Sequence, residues 1–266
     1  MRRQRLSYPP QSFGAIYAIG DVHGCLELLQ EIESRIVQDA RPIEGTRLIV
    51  MLGDYVDRGP QSAGVLDHLV SPPPSGFERI CLAGNHDQMM LDAIDDPGAI
   101  PIWLANGGLE TLRSYGVDDA ELSQAMRGAT GLRDLALRHV PGAHVGFLRA
   151  LPIALVIGEV AFVHAAIEPG PGIADRSDEE LLWARWEGVP ERPGGPVIVH
   201  GHSIVRSAGF DGSRVALDTG AFATGELSAV RISAEGLGLL STAQNSVADL
   251  DPEGIAWDRL ATALSN

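Results

Sequence analysis

Asp21 and His23 flank a single valine in the stretch GDVHG. In an extended segment residues i and i+2 point the same way, so a carboxylate and an imidazole at this spacing can grip one cation. Asp54 lies in GDYVDRG, directly behind the apolar run Leu48–Leu52, where it could be shared between two ions. Asn85 in GNHD offers a neutral amide oxygen, and His164 and His202 offer two further imidazole nitrogens. Two Asp, one Asn and three His, with no thiolate, suit Mn²⁺, Fe or Zn²⁺ better than soft metals or Ca²⁺. Two such ions about 3.5–4 Å apart would clamp the attacking and leaving oxygens of a phosphoryl displacement.

Each cluster alone has an ordinary structural reading. Asp-Val-His suits a loop with a hydrogen-bonded pair. Gly-Asn-His-Asp suits a turn, because Gly and Asn tolerate positive φ. His164 after Phe-Val suits a satisfied buried histidine. It is the joint order that argues for a site, since each cluster follows an apolar run and each carries a hard or borderline metal ligand.

The elements that must position these residues are short. Ala15–Ile19, Leu48–Leu52, Arg79–Ala83, Val160–Val163 and Val197–Val199 predict buried strands, ending in GDVHG, GDYVDRG, GNHD, HAAIEPG and HGHS. Helical periodicity runs over Leu26–Val37, and Val65, Leu66 and Leu69 predict a second helix. Apolar run, Gly-polar cluster, then helix is the α/β pattern, in which ligands sit outside the carboxyl ends of the strands. Residues 88–150 predict a helical insertion flanking the site, with Trp103, Leu104, Leu109, Leu112 and Tyr115 on its buried face. Ser71–Gly76 and Arg192–Pro196 suit loops. Leu227–Ile232 and Gly236–Leu240 predict two later strands, and Ile255–Leu264 a terminal helix. The expected organisation is one domain over 1–266, with a core at about 14–234 and a C-terminal extension at about 241–266.

Composition narrows the partners. The formal net charge of −15 argues against nucleic acid and anionic membranes. Aromatic residues at 5% leave little for base-stacking platforms. Cys25 and Cys81 suit reduced thiols of an intracellular protein. The basic N-terminus MRRQRLSYPPQSFG lacks a following apolar segment of signal-peptide length. No stretch approaches the ~18 apolar residues of a membrane span. A cytoplasmic protein is expected; the oligomeric state is not legible.

GDVHG, GDYVDRG and GNHD, in that order, resemble the signature of the calcineurin-like metallophosphoesterases. More narrowly they resemble the phosphoprotein phosphatase branch, which includes phage and bacterial serine/threonine phosphatases. FVHA, HGHS and DTGA follow the same pattern, so the resemblance spans about Ala15 to Ala221. It implies a four-layer αββα sandwich around a dinuclear centre. By resemblance, Asp21, His23 and Asp54 bind the first metal, and Asp54 bridges to a second that Asn85, His164 and His202 complete. A water or hydroxide held between the ions would attack phosphorus in line, its pKa lowered by that position. His86 would protonate the leaving alkoxide. Asp57 would orient His86, and Arg58 would hold phosphate oxygens through its planar fork. Arg185 in LLWAR is the candidate for a second phosphate-binding arginine; the alternative is a surface helix charge.

Two departures accompany the match. The family often has His-Ala-Gly where this chain has His164-Ala165-Ala166. Ile204 stands where the broader superfamily has the second His of Gly-His-x-His, as suits the phosphatase branch. His200 suits a residue supporting the ligands. Asn106-Gly107-Gly108 in WLANGG resembles a segment near the site in this branch, and equally a turn between helices. The expected activity is a dinuclear metal-dependent phosphomonoesterase, foremost a serine/threonine protein phosphatase using Mn²⁺, on phosphoprotein or small phosphoester substrates. The alternative enzyme is a symmetrical diadenosine tetraphosphatase, a relative that tends to carry alanine where this chain has Asp57. The non-catalytic alternative is a phosphatase-fold scaffold for phosphorylated partners. Such decay usually breaks a ligand or the acid, and here all are present.

Overall fold

The computed structural model describes residues 2–128, 130–168, 172–185, 196–234, 236–244 and 247–250. Its strands are β1 Arg5–Tyr8, β2 Ala15–Ile19, β3 Arg47–Met51, β4 Phe77–Cys81, β5 Ala154–Ile157 and β6 Val160–Val163, followed by β7 Val197–His200, β8 Gly209–Phe210, β9 Arg214–Ala216, β10 Ser228–Ser233, β11 Gly236–Ser241 and β12 Ala248–Leu250. They form two sheets, in the orders β12-β11-β10-β2-β3-β4 and β1-β5-β6-β7-β9-β8. β2, β3 and β4 run parallel, as do β6, β7 and β9.

The period-2 alternation of strand side chains explains how the sheets stack. Ile16 and Ala18 of β2 and Leu48 and Val50 of β3 share one apolar layer with Leu155 of β5, Phe162 of β6 and Val199 of β7. Their neighbours Tyr17, Ile19, Ile49 and Met51 pack the other way, against helix α1 (Leu26–Asp39) and helix α2 (Ser62–Val70). Leu29, Ile32 and Ile36 put an apolar stripe on α1 at helical spacing. Strands covered on both faces need apolar residues at every position, which is why the sequence shows unbroken runs rather than alternation. The result is the expected layered sandwich of two facing sheets with helices outside.

The expected strands β2 and β6 match to the residue, and β3 and β4 begin and end one or two residues earlier than read. Strands β1, β5, β8, β9 and β12 were not expected. β1 is a four-residue edge strand, Arg-Leu-Ser-Tyr, paired in parallel with β5, too short and too polar to carry a pattern. Arg5 at its start and Arg3 just before it act as straps. Arg3 donates to the Leu148 and Leu151 carbonyls at 3.0 and 2.9 Å, and Arg5 to Asp178 at 2.8 Å. The 88–150 region is helical as expected, as α3 Asn85–Asp95, α4 Ile100–Trp103, α5 Leu109–Ser114, α6 Asp119–Ala125, α7 Gly131–His139 and α8 Gly142–Ala150. A π-helical turn, Leu104–Gly108, joins α4 to α5. Helix α9, Asp178–Trp183, and the short α10, Ala221–Thr224, complete the described helices. The expected terminal helix Ile255–Leu264 and residues 192–195 of the expected loop lie outside the described residues. No described helix is long and apolar enough to cross a membrane.

Candidate active site

Five loops leave the carboxyl ends of β2, β3, β4, β6 and β7 and meet. The loops after β2 and β3 are stitched by backbone bonds, His23 N–H to the Asp54 carbonyl at 2.8 Å and Gly24 N–H to the Tyr55 carbonyl at 2.9 Å. Asn85 and His86 are the first residues of α3. The first amides of a helix have no partner within it, and here His86 N–H donates to Asp54 Oδ1 at 2.9 Å. Asp87, fully buried, accepts from three amides: Asp54 and Gly84 at 2.9 Å and Tyr55 at 3.0 Å. It ties the loop that carries Asp54 to the loop that carries Asn85. From the second sheet, His202 N–H donates to Asp21 Oδ2 at 3.0 Å. Gly201 makes that approach feasible, because a Cβ there would lie 1.9 Å from Asp21 Oδ1.

The backbone marks the same place. Among the described residues, the non-glycine residues with positive φ are His23, Asp54, Asp57, Arg58 and His202, at 43°, 54°, 72°, 68° and 61°. Such conformations are costly and persist where surrounding structure over-determines them. All five are residues singled out from the sequence.

Two groups of candidate ligand atoms lie within 4.8 Å of one another: His23 with Asp54 and His86, and Asp54 with His164 and His202. Asp54 belongs to both. Its oxygens lie 3.5 Å from His23 Nε2 and 3.4 Å from His164 Nε2. Asn85 Oδ1 lies 2.8 Å from His164 Nε2 and 2.9 Å from His202 Nδ1. Asp21 lies outside both tight triplets and is held by the His202 amide.

The donor set fits divalent cations. His164 gives its Nδ1 proton to the Leu52 carbonyl at 2.9 Å, and burial lowers its pKa to about 3. The ring is therefore neutral, and its Nε2 lone pair points at an amide oxygen that also offers only lone pairs. His23 likewise donates Nδ1–H to the Val56 carbonyl at 2.9 Å, which turns its Nε2 lone pair inward. Burial pushes the Asp21 carboxyl up, and repulsion from Asp218 and Asp54 pushes it further. Acceptors converging from every side, with carboxylates repelling one another, are what a cation relieves.

Beside this lies a dyad. His86 Nδ1–H donates to Asp57 Oδ2 at 2.8 Å. Burial pushes Asp57 up to about 7, while hydrogen bonds from Thr111 and Trp103 and the Arg58 charge pull it down. The Arg58 guanidinium donates to His23 Nε2 at 3.0 Å and to His86 Nε2 at 2.9 Å, and its Cζ lies 4.8 Å from the Phe222 ring centroid. Arg185 is exposed. Its backbone bridges to Ala166, and its charge helps depress His202, whose pKa burial lowers to about 2.

The family profile described as calcineurin-like phosphoesterase matches residues 14–226, most of the chain. The chain belongs to this family. Serine/threonine-protein phosphatase 2 of Escherichia coli K12 is 29% identical to this phosphoesterase over 226 residues, 82% of this chain and 92% of its own. The symmetrical bis(5'-nucleosyl)-tetraphosphatase of Pseudomonas syringae pv. tomato is 42% identical over 77 residues, 29% of this chain and 23% of its own. The crystal structure of a candidate diadenosine tetraphosphatase superposes with a TM-score of 0.61 at 20% identity, over 92% of this chain and all of its own, a likeness of fold.

The phosphoesterase also holds residues that the sequence reading left without a role. Asp218 is buried beside Asp21, and burial pushes its carboxyl up to about 6. Its signal was present, since Asp-Thr-Gly follows the apolar Val215-Ala216-Leu217 as the other clusters follow their runs. Asp87 was legible only as part of GNHD. Trp103 carries the sequence pattern of a core residue, and no motif marks Thr111. His200 is buried, with Nδ1 3.0 Å from the carbonyl of Gly201, the residue before His202. Ile204 is exposed, so the chain offers no imidazole at that place.

Proposed function

We propose that this phosphoesterase is a dinuclear metal-dependent phosphomonoesterase whose substrates are serine/threonine phosphoproteins. The observation that carries the proposal is the His86–Asp57 pair, standing against Asp54, the carboxylate common to both ligand groups. Asp21, His23 and Asp54 would hold one ion, and Asp54, Asn85, His164 and His202 the other; Mn²⁺ is the proposed metal. When bound, the ions supply Lewis-acid polarisation and a water of lowered pKa.

The rest of the mechanism falls to side chains. Arg58 leaves the imidazole nitrogens for two phosphate oxygens, for which its planar fork is matched. Arg185, near His202, takes a third. Together they supply local positive charge on a chain of net −15. The departure of Arg58 frees His86 Nε2 to take up a proton from solvent and deliver it to the leaving oxygen. Asp57, holding Nδ1–H, fixes the ring and stabilises its charged form before that transfer.

Asp57 and the long alignment to a protein phosphatase favour the monoester reading over the dinucleotide one. The Mn²⁺-loaded protein is expected to show at least about tenfold higher kcat/KM on a phosphoserine peptide than on diadenosine tetraphosphate, a difference of about 1.4 kcal/mol in transition-state stabilisation. Higher kcat/KM on the dinucleotide would assign the chain to the other specificity.

A further inference from the structure

The helical insertion supplies two side chains to Asp57. Trp103 Nε1–H donates to Asp57 Oδ1 at 2.9 Å, and Thr111 Oγ1–H donates to the same oxygen at 2.8 Å. The other oxygen, Oδ2, receives His86 at 2.8 Å. The Thr111 hydroxyl also accepts the Asp57 main-chain N–H at 2.8 Å, so one side chain grips both ends of the aspartate. Trp103 is 1% exposed and Thr111 0%. Between them, Gly107 at φ +107° presents its carbonyl to Arg58 N–H at 3.4 Å, and a Cβ there would lie 2.5 Å from that nitrogen. Trp103, Gly107 and Thr111 are four residues apart, so α4, the π-helical turn and α5 bring them to one face. That face covers the two consecutive residues, Asp57 and Arg58, whose φ values are 72° and 68°.

We propose that Trp103 and Thr111 are positioning residues for proton delivery by His86, which makes the helical insertion part of the reaction machinery. This rests on the reading of His86 as the general acid. With both carboxylate oxygens engaged, the Asp57 plane cannot turn, and the imidazole it holds cannot swing. Removal of the Oδ1 donors leaves the His86 bond in place as a single contact on a carboxylate free to rotate. Proton transfer is sensitive to that alignment, whereas metal binding and phosphate binding are not routed through it.

The leaving group provides the test. A phosphoserine peptide expels an alkoxide that must be protonated, whereas p-nitrophenyl phosphate expels a stable phenolate that needs little help. Thr111→Val and Trp103→Phe are each expected to lower kcat on the peptide about tenfold, part of the 10²–10⁴ that general-acid catalysis is worth. On p-nitrophenyl phosphate kcat should stay within about threefold of wild type, with KM and bound Mn²⁺ unchanged. Thr111→Ser, which restores the hydroxyl, should restore the peptide rate. Equal losses on both substrates, or loss of metal, would make the two residues merely structural and overturn the proposal. His86→Asn measured in parallel separates the layers. If it shows no leaving-group dependence, the acid reading fails. If it does and the two insertion variants do not, the positioning proposal alone fails.

Discussion

Replacement of His86 by asparagine is expected to lower kcat on a phosphoserine peptide by about 10²–10⁴-fold while bound metal stays near the wild-type level. The rate loss follows from removing an imidazole that is paired with a buried carboxylate through Nδ1 and turned toward Arg58 through Nε2. Retention of metal is the sharper half of the prediction. His86 lies in the tight triplet with His23 and Asp54 and could pass for a ligand on distance alone. Its Nδ1 partner argues otherwise: His86 is paired there with the buried Asp57 carboxylate, whereas His23 and His164 rest their Nδ1 on backbone carbonyls, Val56 and Leu52, which turns Nε2 of each inward as a neutral ligand. Metal analysis of the purified variant alongside its kinetics checks both halves. Loss of metal equal to that of an Asp54 variant would show that the roles are assigned wrongly.

Asp54→Asn should fail in the opposite manner, losing bound metal and activity together. Asp54 is the carboxylate common to both candidate groups, with one oxygen 3.5 Å from His23 Nε2 and the other 3.4 Å from His164 Nε2. An amide replaces one of those oxygens with a donor that cannot ligate, so one ion loses a ligand and the shared contact is gone. The substitution also disturbs the His86 amide, which donates to Asp54 Oδ1 at 2.9 Å. Metal content at saturating Mn²⁺ is expected to fall from two ions to one or none, with phosphate release at the background rate. An Asp54→Asn protein that still binds two ions would remove Asp54 from its shared role.

Much of this site was legible because its residues sit where apolar runs end. Strand residues with both faces covered must be apolar, so the first polar residue after each run marks a sheet edge, and Asp21, Asp54 and His164 are read off in that way, whereas the run before His202 ends first at His200. Asp218 obeys the same rule after a shorter run and was passed over. What was not legible depends on contacts far apart in the chain. Trp103 and Thr111 bond to Asp57 from 46 and 54 residues away, and helical periodicity records only that such a face is buried, not what it touches. The same limit hides which strand joins which of the two sheets that the resemblance implies. Parallel runs separated by helices look alike whether they join one sheet or two, and the short edge strands β1, β8 and β9 carry too few residues to show a pattern. Asn106-Gly107-Gly108, legible as a turn or as a site segment, is both: it turns the helix where the backbone must approach Arg58.

The acceptors gathered around Asp54 are expected to bind divalent metal, and phosphoester hydrolysis to require it. The most direct measurement is the metal content of the wild-type chain together with phosphate release from a phosphoserine peptide, before and after chelation and after return of Mn²⁺. Two bound ions per chain, activity abolished by the chelator and restored by Mn²⁺, is the predicted result. A protein that binds no divalent metal and shows no Mn²⁺-stimulated hydrolysis would contradict it and leave the fold as a scaffold.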